Sequence, residues 1–156
     1  VDGRGYAGDI EELTAPVLQR VVEEFRGGGM DAPIEVDLGM EKMEMDFSLT
    51  NFDPNLLKLF GLISEKNKQI EIRGAMRNEL DGIVKPVVIS ITGNIRESDA
   101  GSWKPGEKVI LKLMVAVIAY RLEIDGEEIH NIDVSNMTRV IGGVDQLADE
   151  RTALGI

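Results

Sequence analysis

Cysteine is missing from this chain altogether, which excludes both a secreted disulfide scaffold and a Cys-built zinc site. Histidine occurs once, at His130, so no His-rich metal centre can form and a Ser-His-Asp triad would have to be built around that one imidazole. It stands in EEIHNID on a strand-like stretch, a setting for a surface or hydrogen-bonded side chain rather than a general base. Basic residues are scarce: 17 Lys and Arg face 28 Asp and Glu, a formal net charge of −11. Binding along phosphate backbones needs clustered cations, so this balance argues against a DNA-reading domain. Long apolar runs are absent too. The longest, residues 109–124, is too short to span a bilayer as a helix and contains Lys112 and Arg121, so no membrane insertion is expected and the run reads as a long strand. The opening VDGRGYAG has neither the charged nor the apolar region of a signal peptide, and synthesis in a reducing cytoplasm is the expectation.

What is present is two-faced strand pattern. Ile34, Val36 and Leu38 alternate with Glu35 and Asp37; after a break at residues 39–42, Met43, Met45, Phe47 and Leu49 alternate with Glu44, Asp46 and Ser48. The spacing predicts an antiparallel hairpin with one apolar and one acidic face. Gly27, Gly28 and Gly29 lead into it, a pivot rather than a packing surface. Further strands are expected at residues 69–77, 86–96, 109–124 and 129–140, broken by Asp81-Gly82, Pro105-Gly106 and Asp125-Gly126, the last a strong hairpin signal.

One firm helix is expected at residues 53–62: Asp53 can cap it, Pro54 suits its first position, Leu56, Leu57, Leu59 and Phe60 give an apolar face, and Gly61 can end it. Residues 144–154 also carry a helical stripe, Val144, Leu147, Ala148 and Leu154, too narrow to stand without something to dock against. With 156 residues in one domain, residues 1–156, the chain can bury about 68 to 70% of its unfolded surface without staples. The fold class is therefore all-β, a sandwich or barrel-like subunit with one flanking α-helix.

No constellation looks catalytic, and no cofactor is expected. Gly3, Gly5 and Gly8 satisfy GxGxxG formally, but no strand precedes them and no βαβ unit follows, so a flexible turn is the better reading. Asp125, Glu127, Glu128 and Asp133 form an acidic knot whose spacing does not match a calcium-binding EF-hand loop. Met43 and Met45 read as core. Trp103, an aromatic in a polar loop, is either an anchor on the fold or a contact to a neighbour.

The words VDGRGYAG, GGGMDAPIEVDLGMEKMEMDFSL, DPNLLKLFGL and GGVDQLADERTALGI, in order and nearly end to end, resemble the major tail tube proteins of contractile-tailed phages, relatives of the tubes of phage-like bacteriocins. The resemblance implies a virion protein whose hexameric rings stack head to tail as the inner tube. Sheath, baseplate and terminator proteins would be its partners, and DNA would pass through without specific binding. It also implies a short segment ahead of DGRGYAG, so a few further N-terminal residues are expected. At residues 14–25, where helical spacing is slightly favoured, it implies a strand. Within this reading, Gly27, Gly28, Gly29, Trp103, Val144, Leu147 and Leu154 are candidate assembly contacts, with residues 144–156 as a docking segment. Glu35, Asp37, Glu44 and Asp46 are candidates for an acidic channel wall. A monomeric β-sandwich binding module, using the Asp125 and Trp103 loops, is the rival reading, and an enzyme the weakest.

Overall fold

The computed structural model describes residues 3, 5–6, 8–60 and 67–155. Strand order along the chain is β1 (Ile10–Thr14), β2 (Arg20–Phe25), β3 (Ile34–Met40) and β4 (Met43–Leu49), then a short helix α1 (Pro54–Leu57). Next come β5 (Lys68–Arg77), β6 (Val84–Asp99), β7 (Leu111–Ile124), β8 (Glu127–Asp133), β9 (Thr138–Ile141), β10 (Val144–Asp145) and α2 (Ala148–Leu154). Eight strands form one antiparallel sheet, and β2 and β3 form a separate two-stranded ribbon.

The long strand β7 is the spine of the large sheet. Along one edge it pairs first with β4, Leu111↔Leu49 to Val117↔Met43, and then with β8, Ala119↔Asp133 to Ile124↔Glu127. Its other edge pairs with β6, which in turn carries β5. Alternation puts Leu111, Leu113, Val115 and Val117 on the inner face, and an irregularity opposite Thr92 and Gly93 resets the parity so that Tyr120 also points inward. Such bulges bend a strand and increase its twist. Because Met43 to Leu49 on one flank and Ile70 on the other belong to one buried cluster, the sheet curls round a shared core. This is the expected barrel-like all-β form.

The Asp125-Gly126 hairpin is as the sequence predicts: Ile124 pairs with Glu127, and both loop residues have positive φ, 56° and 79°, the geometry of a two-residue turn that matches strand twist. Residues 20–25 form a strand, as the resemblance implies and the helical spacing does not. The expected strand at 129–140 is two strands, β8 and β9, joined by a turn in which Asp133 Oδ1 accepts the Asn136 N–H at 3.0 Å and Met137 takes φ 49°.

The structure departs from the sequence pattern at the first hairpin and at the helix. The expected hairpin of residues 34–38 and 43–49 does not form: β3 pairs with β2 across the glycine loop, and β4 pairs with β1 and β7 in the other sheet. Alternation fixes the faces of a strand and leaves its neighbour open. The helix is also shorter than expected. Asp53 caps it through its Oδ1 and the Asn55 N–H, and Pro54 opens it, but Leu56 alone of its residues is buried, at 1% exposure, while Phe60 beyond it is 47% exposed. Its expected end at Gly61 lies outside the described residues.

Candidate functional site

The four carboxylates expected on one acidic face are divided between the two sheets. Glu44 and Asp46 stand on the outer face of the large sheet, opposite the core side chains of β4. There they meet cations: Lys42 Nζ lies 2.9 Å from Glu44 Oε1, Arg96 also donates to Glu44, and Lys112 Nζ is 3.8 Å from Asp46. The Lys42 and Arg96 contacts hold the Glu44 carboxyl below its ordinary range. Glu35 and Asp37 belong to the ribbon. Asp37 Oδ1 accepts the Gly39 N–H at 2.8 Å, and Asp37 Oδ2 accepts from Arg139 at 3.1 Å and lies 3.8 Å from Arg20. The Gly39 bond first, with Arg139 and Arg20, lowers its pKa. Arg139 thus fastens the ribbon's base to β9. A cleft of about 490 Å³ lies at this junction, lined by Leu18, Met40, Ile132, Ile141 and the polar groups around Asp37. His130 lines it too, and its buried Nδ1 has no hydrogen-bond partner among the described residues.

Beyond that fastening the ribbon stands outside the core. Register places Phe25 opposite Ile34 and Glu23 opposite Val36, so Phe25, Ile34, Val36 and Leu38 share one face with Glu23 among them, and Glu24 and Glu35 stand opposite each other on the other. That apolar face is exposed, Phe25 to 55% and Leu38 to 58%. The alternation marks it as an apolar face; what it lacks is a second layer packed over it. Gly27, Gly28 and Gly29 form the ribbon's tip, where the Met30 N–H closes a turn on Gly27 O at 3.2 Å and Gly29 adopts φ 87°.

A second projection was not legible from sequence. Past the Val87↔Ile124 pair, β6 continues beside β5 alone, with Lys85 opposite Met76 and Val84 opposite Arg77. The turn beyond is ordered by side-chain caps: Asn78 Oδ1 accepts the Leu80 N–H at 3.0 Å, Asp81 Oδ1 accepts the Ile83 N–H at 3.0 Å, and Asn78 Nδ2 donates to Asp81 Oδ2 at 2.9 Å. At its apex Leu80 is 98% exposed. The available signal was an aliphatic residue inside a run of turn formers, NELDG.

Trp103 stays largely exposed in the β6–β7 loop, its ring tilted against Phe52 with centroids 5.5 Å apart and its Nε1–H donated to Ala100 O. At the C-terminus, Asp145 clasps Arg151, Arg151 donates on to Met137 O at 2.7 Å, and Gly155 ends α2 in the left-handed region at φ 74°. The Arg151 hydrogen bond, followed by the Leu147 N–H, lowers the Asp145 pKa. Leu147 is half-buried at the start of α2, and Val144 and Leu154 are exposed. The acidic knot is dispersed: Glu128 pairs with Arg121, and Asp133 caps the next turn. Among the described residues, no group of three or more His, Asp or Glu is placed to hold a metal.

Comparison with known proteins places this architecture among tube and tail proteins. Solved structures of an extracellular contractile injection system share the fold. The PVC sheath/tube terminator in the extended state aligns at a TM-score of 0.57 and 8% identity, over 73% of this chain and 84% of that one. The PVC sheath-tube complex aligns at 0.54 and 9%, over 73% and 80%. In sequence, the tail tube protein of Escherichia phage P2 is 31% identical across 100% of this chain and 92% of its own length. The major tail tube protein of Serratia phage KSP20 is 28% identical over 87% and 79%. The family model of phage tail tube protein FII matches residues 1–155, and the chain belongs to that family, a structural component of the inner tube of contractile tails.

Proposed function

We propose that the subunit closes into hexameric rings that stack head to tail, forming the tube through which DNA leaves a phage particle. Sheath would lie outside it, with terminator and baseplate proteins at its ends. The observation that carries this reading is the β2–β3 ribbon, an apolar strand face held outside the core. Two-stranded ribbons are marginal in water on their own, and exposed apolar strands attract other chains unless something covers them. Contacts between unlike surfaces of identical subunits close into rings or extend as stacks. Residues 144–156, the glycine tip and Trp103 are further contacts to neighbours.

The outer face of β4, with Glu44 and Asp46, supplies the channel wall. Its carboxylates oppose phosphate directly, and they also occupy Lys42, Arg96 and Lys112, which would otherwise bind a phosphate backbone by counterion release. Glu35 and Asp37, on the other sheet, are not part of that wall.

Electron microscopy of the purified subunit tests the reading. Tubes with six-fold end views are expected, and a protein that stays monomeric at all concentrations would favour the binding module instead. Replacing Glu44 and Asp46 with Gln and Asn should leave tubes that retain DNA in low salt; tubes equally inert to DNA would refute the wall assignment.

A further inference from the structure

The chain carries two projections, each too thin to cover itself. We propose that the β5–β6 arm of one subunit docks on the apolar face of the β2–β3 ribbon of a second copy, with Leu80 as the knob. The inference rests on the tube reading and names the two surfaces that meet.

Three observations support the pairing. Both surfaces are exposed in the same chain, so neither covers the other: Phe25, Ile34, Val36 and Leu38 on the ribbon, Met76, Leu80 and Ile83 on the arm. Their charges are opposite in balance. Residues 20–40 hold two basic against five acidic side chains, whereas residues 73–85 hold three basic against two acidic, a local excess of cation in a chain of net charge −11. The charges left over also correspond. Glu24 and Glu35 sit directly opposite each other in the ribbon register, an arrangement that is destabilising unless a cation relieves it. Among the described residues, Glu23, Glu24 and Glu35 have no ion-pair partner, and neither do Arg77 and Lys85 beside the arm's apolar side chains. Glu23, opposite Val36, lies on the docked face itself, and a ribbon of two strands is only about 5 Å between strand axes, so Arg and Lys side chains on a docked arm reach round its edge to Glu24 and Glu35.

The arm is also prepared for such a contact. The Asn78 and Asp81 caps fix the turn before any partner arrives, and a preorganised loop loses less entropy on docking. A fully exposed leucine on an ordered apex has no role in the core of its own chain. The pairing joins two different patches, so it is heterologous and can propagate from copy to copy.

Charge exchange tests it. Glu24→Lys with Glu35→Lys, and separately Arg77→Glu with Lys85→Glu, should each lower the yield of pelletable tubes at least ten-fold while leaving the melting temperature of the subunit unchanged. All four substitutions in one chain should restore tubes. Equal tube yield from wild type and both reversed variants would overturn the docking pair. Failure of wild type itself to form tubes would instead overturn the tube reading. A second measurement does not depend on charge. Because the chain has no cysteine, Leu38→Cys and Leu80→Cys subunits can be mixed, assembled and treated with a flexible bis-maleimide. A heterodimer of the two variants is expected in tubes, and its absence there would count against the contact.

Discussion

Strands β3 and β4 are neighbours in sequence, seven residues each, and nearly identical in pattern, IEVDLGM and MEMDFSL. In β4 every second residue is fully buried; in β3 no residue is. The difference lies in what flanks them. β4 sits between β1 and β7 within the large sheet, whose inner face closes on the shared core, and β3 has only β2 beside it and no layer over it. Hydrophobic alternation thus marks an apolar face without saying whether its own chain covers it. In this family member the second strand builds the core of the subunit and the first stays outside it.

Substitutions on the two strands should separate these roles. Phe47→Ala removes a core side chain at 3% exposure, and losses of this kind cost about 3–5 kcal/mol. Leu38→Ser on β3 should change subunit stability by no more than about 0.5 kcal/mol while suppressing tube formation. Urea unfolding of both variants checks this, and a Leu38→Ser loss comparable to that of Phe47→Ala would erase the contrast.

The helix sharpens it at single-residue level. Leu56→Ala should destabilise by about 2–5 kcal/mol, whereas Phe60→Ala, at a half-exposed position, should cost clearly less. If calorimetry ranks the two the other way, the packing of α1 is wrong.

Glycine at position 93 is needed for close approach. A Cβ there would lie 2.2 Å from the backbone oxygen of Ala116, which is held in the β6–β7 ladder. Gly93→Ala should therefore cost about 1–3 kcal/mol, as overpacked sites do. The same change at Gly74, where nothing lies within 4 Å of the added carbon, should be nearly silent. Equal melting temperatures for the two would show that the ladder yields.

The smallest expected effect is at the C-terminus. Because the Asp145 pKa is lowered in the folded chain, its contribution to stability is complete above the unfolded value, about 3.9, and is lost as pH falls through the folded one. Helix α2 should stay clasped from neutral pH to about that value and loosen only below it. Amide signals of residues 148–154 followed by NMR against pH report this, and loosening already near neutrality would exclude the carboxylate as the cause.

These contrasts also show what was legible in the sequence. The alternation of β4 and β7 and the Asp125-Gly126 turn are local signals, and each maps onto one element. The partner of β3 is a lateral choice between two sheets, and period-two patterning carries no information on it. The turn after Asp133 was obscured because Met137, not glycine, takes the left-handed conformation there. The Leu80 apex was obscured because an exposed aliphatic residue in a turn contributes to no periodic pattern of its own chain.

Hydrogen exchange compared between the lone subunit and assembled tubes tests the central claim most directly. The amides of β4 and β7 should be protected in both states, whereas those of β2 and β3 should exchange rapidly in the subunit and slow by at least an order of magnitude in tubes. Ribbon amides that exchange at the same rate in both states would contradict the account.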